Sequence, residues 1–225
     1  MFERLVSVRL GRFVECSCVL PATQFAYRKG LVTCDALLCM SHTLQIALNW
    51  ALRNFEKRFQ TFALENMYPG RIVRIDFSAA FDRVNHRGIF YKLYSVGIGG
   101  SVLSILTQFL LDRSQRVIVD GCWSILVNVV SEVKQGSVLS PLLFLLCTME
   151  LFSILAYKLI SYADDSTLMV VVPSPGIRVT LANTLIRDLG RVSEWYDHWG
   201  IKLNASKTKT MIVSRSRTKR PSLPH

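Results

Sequence analysis

The 225-residue sequence predicts an α+β fold, an antiparallel sheet with helices packed on one face. Three observations lead there. Apolar residues recur at helical spacing in some segments and alternate in others. The alternating runs pair off around tight-turn signals, as hairpins do, instead of interleaving with helices as in a parallel sheet. Half of the residues are apolar, twelve of them Phe, so the chain can offset its ordering entropy and a disordered chain is excluded. At ~100–200 residues per domain, the length fits one domain, or one domain with an appendage.

Leu5, Val8 and Phe13 outline a short helix over residues 1–14, and Pro21 starts a polar turn. Leu37, Leu44, Ala47, Leu48 and Ala51 place an apolar stripe along a helix over 36–52. Residues 54–70 receive no assignment before the Pro69-Gly70 turn signal. Residues 71–77 alternate: Val73, Ile75 and Phe77 point one way, Ile72, Arg74 and Asp76 the other, giving a strand whose polar face ends in a carboxylate. A helix is expected over 78–93, then a break at 97–100, with Ser101 capping a helix over 102–111. Residues 116–119 and 125–130 flank Asp120-Gly121, a hairpin signal. Ser140-Pro141 reads as an N-cap followed by proline at the first helical position, opening an apolar helix to about residue 155. Residues 159–163 and 168–172 flank Asp164-Asp165 as a second hairpin. A helix over 177–199 stops at Gly200, and 209–213 form a last strand.

The charge balance narrows the partners. Lys and Arg number 27 against 16 acids, a net charge of +11, and no acid follows Gly200. Such a surface favours polyanions, nucleic acid first and anionic membrane second; the plain alternative is a basic tail on an unrelated domain. The longest uncharged runs, 36–52 and 135–149, are interrupted by polar residues and fall short of the ~20 apolar residues a spanning helix needs. The N-terminus lacks the order of a signal peptide, so the chain is expected inside the cell, in nucleus or cytoplasm, and not secreted. The six cysteines form no C-x-x-C pair and read as reduced, buried thiols.

Asp164-Asp165 stands out. Adjacent carboxylates raise each other's pKa unless a cation lies between them. Alone, the pair reads as a solvated turn. Asp76 changes this, because pairing of its strand with the hairpin brings it within reach of Asp164. Three converging acids call for divalent cations, and Mg²⁺ takes oxygen ligands, one or two carboxylates plus substrate phosphates. Two such ions stabilise the attacking and leaving oxygens of a phosphoryl displacement. A basic chain with such acids points to nucleotidyl transfer.

Five ordered blocks give this pattern a family. They are Gln24-Phe-Ala-Tyr-Arg-Lys-Gly30 with Thr33-Cys-Asp-Ala36, Ile75-Asp-Phe-Ser-Ala-Ala-Phe-Asp-Arg-Val-Asn-His86, Gln135-Gly-Ser-Val-Leu-Ser-Pro-Leu-Leu-Phe144, Tyr162-Ala-Asp-Asp165 and Trp199-Gly-Ile-Lys-Leu-Asn-Ala-Ser-Lys-Thr208. Together they resemble the reverse transcriptase domain of non-LTR (LINE, jockey-like) retrotransposons. The resemblance implies a polymerase palm over 71–213, a partial fingers and finger-to-palm segment over 1–70, no thumb, and a basic disordered tail over 214–225. It implies two Mg²⁺ ions, with Mn²⁺ as a substitute, held by Asp76, Asp164 and the Phe77 carbonyl, with Asp165 as a less essential third acid. Phe81 is the implied steric gate against a ribose 2′-OH, although by itself it reads as core packing. Gln135 and Gly136 are implied beside the nascent base pair, or else they form a turn before a helix. Lys207 is implied near the pyrophosphate, or else it is a solvated lysine. Arg28, Lys29, Lys202 and Lys209 are the candidate nucleic-acid contacts, with a solvated face as the alternative for Arg28 and Lys29.

The implied partners are an RNA template, a DNA primer and dNTPs, with no membrane. The alternative is an inactive retroelement remnant that keeps the palm fold and basic nucleic-acid binding. Two departures from the family pattern stand out. Lys134 occupies the place of the usual proline, and residues 49–68 fit poorly, as an insertion or replaced exon would. The chain is expected to lack the upstream fingers, the thumb and the endonuclease region of a parent polyprotein.

Overall fold

The computed structural model describes residues 2–54, 70–78, 80–171, 178–204 and 206–213. In chain order these form α1 (Phe2–Cys16), α2 (Thr33–Asn54), β1 (Gly70–Ile75), β2 (Phe77–Ser78), α3 (His86–Ser95), α4 (Gly100–Leu110) and the short strands β3 (Ser114–Gln115), β4 (Ile118–Val119), β5 (Cys122–Trp123) and β6 (Val127–Asn128). Then come α5 (Ser140–Thr148), α6 (Leu151–Ile154), β7 (Lys158–Tyr162), β8 (Asp165–Val171), α7 (Arg178–Trp199), β9 (Lys202–Leu203) and β10 (Lys209–Val213). The mixed α+β class is as the sequence predicts. The tail over 214–225 and residues 55–69 lie outside the described residues.

The main sheet has the order β10-β1-β8-β7, and every pairing is antiparallel. Val73, Ile75, Leu159, Leu168 and Val170 pack into a large core with residues of α3, α4, α5 and α7. On the opposite face Ile160 and Met169 pack with Phe25 and Ala36, joined by Ile72, Cys39, Met40 and Leu44. Helices therefore cover both faces, beyond the single face predicted. The reason lies in β8: residues 166–170 are all buried, and none carries a charge that demands water.

Several boundaries differ from the sequence expectation. No helix starts at residue 78. Phe77-Ser78 instead pair with Lys202-Leu203, and α3 starts at His86 because the Asn85 side chain accepts hydrogen bonds from the backbone N–H of Arg87 and Gly88. Gly99, not Ser101, is the N-cap of α4. Ser140 lies inside α5, after Leu139 at the N-cap, and its hydroxyl donates to the Lys134 carbonyl (2.6 Å). The Asp120-Gly121 turn forms where predicted, but Ile118-Val119 pair across it with Cys122-Trp123, and within 125–130 Val127-Asn128 pair instead with Ser114-Gln115; both turn residues have positive φ, as a type I′ turn requires. Leu5, Val8 and Phe13 of α1 are exposed, and Leu10 and Val14 are its buried residues. All six cysteines are free, but only Cys147 is buried, which pushes its thiol up to about 12. Among the described residues no helix is long and apolar enough to cross a membrane.

Behind the sheet, Lys92 of α3 is 4 % exposed. Its ammonium donates to the Cys147 carbonyl, meets Glu150 at 3.1 Å, and lies 4.7 and 4.2 Å from the ring centroids of Trp195 and Trp199. Burial lowers its pKa, against the opposing pull of Glu150.

Candidate active site

Strand pairing gathers the predicted acids. Ile75 is the last β1 residue paired with β8, opposite Ser166, so Asp76 follows at the level of Asp165. There the β7–β8 hairpin closes through Tyr162 and Asp165, with Ala163 and Asp164 as its loop. Ala163 has φ of 57° and Asp164 does not share the positive sign, a pattern that fits a type II′ turn, whose first central position normally favours glycine. Asp164 is half-buried and Asp165 exposed.

The loop before α2 braces this turn. The Phe25 N–H donates to the Ser161 carbonyl (3.0 Å), and the Ser161 N–H donates to that of Thr23 (2.9 Å). The buried Gln24 side chain donates to the Ala163 carbonyl (3.5 Å) and accepts from the Ala26 N–H (3.1 Å). Tyr27, also at positive φ (57°), reaches the same turn; burial raises its pKa, and the charges of Asp164 and Tyr162 add to this.

On the other side, the Asp76 carbonyl accepts from the Asn204 N–H (3.0 Å). The Asn204 carbonyl in turn receives the N–H of Lys207 (3.2 Å) and of Thr208 (2.9 Å), forming a turn that carries the exposed Lys207. Lys209 lies opposite Arg74 in the β1–β10 register, and Lys202 lies in β9 opposite Ser78. The Phe77 ring is buried against Tyr196, with centroids 4.9 Å apart.

Phe81 sits in a turn and not on a helix. Its ring stacks on Phe144 at 4.5 Å and 18°, and its carbonyl accepts from the Val133 N–H (2.9 Å). Next to it, Asp82 accepts from the Gln135 side chain (2.7 Å). The Ser137 N–H returns to the Lys134 carbonyl (3.2 Å) around Gly136, whose φ of 82° suits glycine at the third position of a type II turn. So Phe81, Gln135 and Gly136 form a second cluster.

Arg28 is committed internally. It pairs with both carboxylate oxygens of Glu15 (2.8 and 2.7 Å) and donates to the carbonyls of Pro21 and Gln24. Lys29 beside it is exposed.

The acids do not form a closed cage. Among the described residues no group of three or more His, Cys, Asp or Glu is arranged to hold a metal ion. Asp165 is instead engaged by Arg74, Nη2 to Oδ1 at 2.7 Å. The donor chemistry nevertheless suits a hard cation: Asp76 and Asp164 supply two carboxylates, the number Mg²⁺ commonly takes before substrate phosphates. Sequence reasoning missed Gln24, Tyr27, Arg74 and Asn204 as neighbours of the acids. Arg74 carried a signal, since it shares the polar face of β1 with Asp76, two residues on.

Comparison with known proteins gives this mixed α+β fold a family. The family described as "Reverse transcriptase (RNA-dependent DNA polymerase)" matches residues 1–221, and the chain belongs to it. Its relatives include the "RNA-directed DNA polymerase from mobile element jockey" of Drosophila funebris, 30% identical over 224 residues, covering 96% of this chain and 22% of that protein. The "Probable RNA-directed DNA polymerase from transposon BS" of Drosophila melanogaster is 30% identical over 217 residues, covering 92% and 22%. The chain thus spans about a fifth of these relatives' length, and it resembles non-LTR retrotransposon polymerases. Among solved structures, apo telomerase from Candida Tropicalis superposes with a TM-score of 0.56 at 13% identity, over 93% of this chain and 36% of that one. Telomerase from Candida albicans in complex with a TWJ fragment of telomeric RNA gives 0.54 at 14%, over 99% and 35%. These likenesses concern the fold alone.

Proposed function

We propose that this chain is the palm, with part of the fingers, of an RNA-directed DNA polymerase of the non-LTR type. Residues 71–213 serve as the palm and 1–70 as the fingers segment. The observation that carries the reading is the register that ends at Ile75 and Ser166, because it brings Asp76 to the turn bearing Asp164.

In this reading the primer 3′-oxygen forms a bond to the α-phosphorus of a dNTP, and the bond to pyrophosphate breaks. Asp76 and Asp164, with the Phe77 carbonyl, would hold the two Mg²⁺ ions. When bound, these ions supply charge for the attacking and leaving oxygens. Lys207 gives positive charge or a proton to the departing pyrophosphate. Phe81, backed by Phe144, fills the space a 2′-OH needs. Gln135, held by Asp82, and Gly136, which has no side chain to obstruct, line the nascent pair. Lys29, Lys202 and Lys209 meet phosphates of the RNA template and DNA primer. Arg28, bound to Glu15, supports the loop that carries Lys29.

The test is primer extension on poly(rA)/oligo(dT) with Mg²⁺. Extension by the parent and its loss in Asp164→Ala and Asp76→Ala is the expected result. Equal blanks from all three favour the remnant reading.

A further inference from the structure

Arg74 occupies a place that none of the polymerase roles above uses. It projects from the polar face of β1 two residues before Asp76, opposite Thr167 of β8 and Lys209 of β10. Its Nη2 bonds Asp165 Oδ1 at 2.7 Å and so bridges β1 to the hairpin end of β8.

Three carboxylates at two neighbouring strand ends repel one another unless a cation intervenes. Arg74 is a fixed cation, charged at any working pH. Its guanidinium occupies Asp165 Oδ1, and among the described residues no three-acid group is arranged to hold a metal ion. We propose that Arg74 is a positioning residue that keeps Asp165 out of the metal set. Divalent-ion binding then rests on Asp76 and Asp164, and is completed when a phosphate-bearing substrate brings its own oxygens. The proposal rests on the polymerase reading for the identity of the metal set.

The Arg74 and Asp165 side chains are 57% and 60% exposed, and exposed pairs add little to fold stability. Removing the pair should therefore alter ion binding and leave folding intact, which separates the two readouts.

The experiment titrates the full chain with Mn²⁺, without nucleotide or nucleic acid, and follows the free ion by electron paramagnetic resonance. Arg74→Met should bind Mn²⁺ about two- to fivefold more tightly than the parent, with an unchanged urea midpoint. In an Asp165→Asn background most of that gain should vanish, because the acid to be released is gone. A gain that persists there marks a plain charge effect and overturns the proposal, as does unchanged or weaker binding by folded Arg74→Met. Asp76→Asn and Asp164→Asn separate the two levels. Parent binding that survives both substitutions defeats the metal-set reading itself. Binding that they abolish but Arg74→Met leaves unmoved defeats the clamp alone. Absence of binding in both parent and Arg74→Met defeats both.

Discussion

Gly88→Ala offers a test of how tightly the helices behind the acids are packed. In an exposed helix this change gains roughly 1 kcal/mol, since glycine is the poorer helix former. Gly88 is buried in α3, and a Cβ built there lies 2.5 Å from Cζ3 and 2.6 Å from Cε3 of Trp199 at the end of α7. Neither distance is tolerable, so the indole must shift. Overpacking of this kind costs about 1–3 kcal/mol. The same indole carries Lys92 at 4.2 Å, and disturbing a desolvated cation–π contact forfeits a further share of ~2 kcal/mol. The losses exceed the helical gain, and the net effect is a destabilisation of about 1–3 kcal/mol, or about 2–4 °C in Tm per kcal/mol for a chain of this size. Urea unfolding followed by far-UV circular dichroism measures it. In a Trp199→Leu background the same alanine should become neutral or stabilising. A parent-like or higher midpoint for Gly88→Ala, or an equal loss in both backgrounds, would refute the reasoning.

Two further outcomes follow from buried charge. Glu150→Ala should cost about 3 kcal/mol, because it strands Lys92 at 4 % exposure, whereas Lys92→Met should cost less, leaving a half-exposed Glu150 still bonded to the Trp195 indole N–H; the reverse ranking in urea midpoints contradicts this. Stability should also fall on acidification. The hydrogen bond from Arg28 lowers the pKa of Glu15, and burial, which pushes Glu150 up, is outweighed there by hydrogen bonds from Trp195 and Lys92. Both folded values lie below 4.5, so this stabilisation is present above pH 4.5 and is lost as pH drops through the folded values. Glu15→Gln should flatten the pH dependence of the urea midpoint between about 3 and 6, and an unaltered slope counts against the pairing.

The strands that carry the acids were legible because their chemistry is local. Alternation marked residues 71–77, the apolar runs beside Asp164-Asp165 marked the second hairpin, and β10 fell on 209–213 as predicted. What escaped depends on partners far away in sequence. Apolar spacing ran the helix back to residue 78, although Asn85 holds the capping hydrogen bonds and Ser78 pairs with Lys202. Leu5, Val8 and Phe13 outlined the first helix, but that Leu10 and Val14 are the residues that meet the core is decided by packing against distant segments. α2 was read as a helix, but that it covers the second face follows from Ile72, Ile160 and Met169, which only the assembled sheet brings to one side. The Arg74–Asp165 pair spans 91 residues, beyond the reach of any periodicity.

The sheet order has a consequence for how the acids come to exist as a group. β1 is flanked by β10 and β8, both made from much later stretches of chain, while β7 and β8 are neighbours joined by a short turn. The acidic doublet can form early as a local hairpin, yet its meeting with Asp76 awaits the closure of a long loop, a step that slows folding. A nascent chain thus carries the two halves of its cation-binding chemistry apart, and joins them only once β8 has followed β1 across a long stretch of chain.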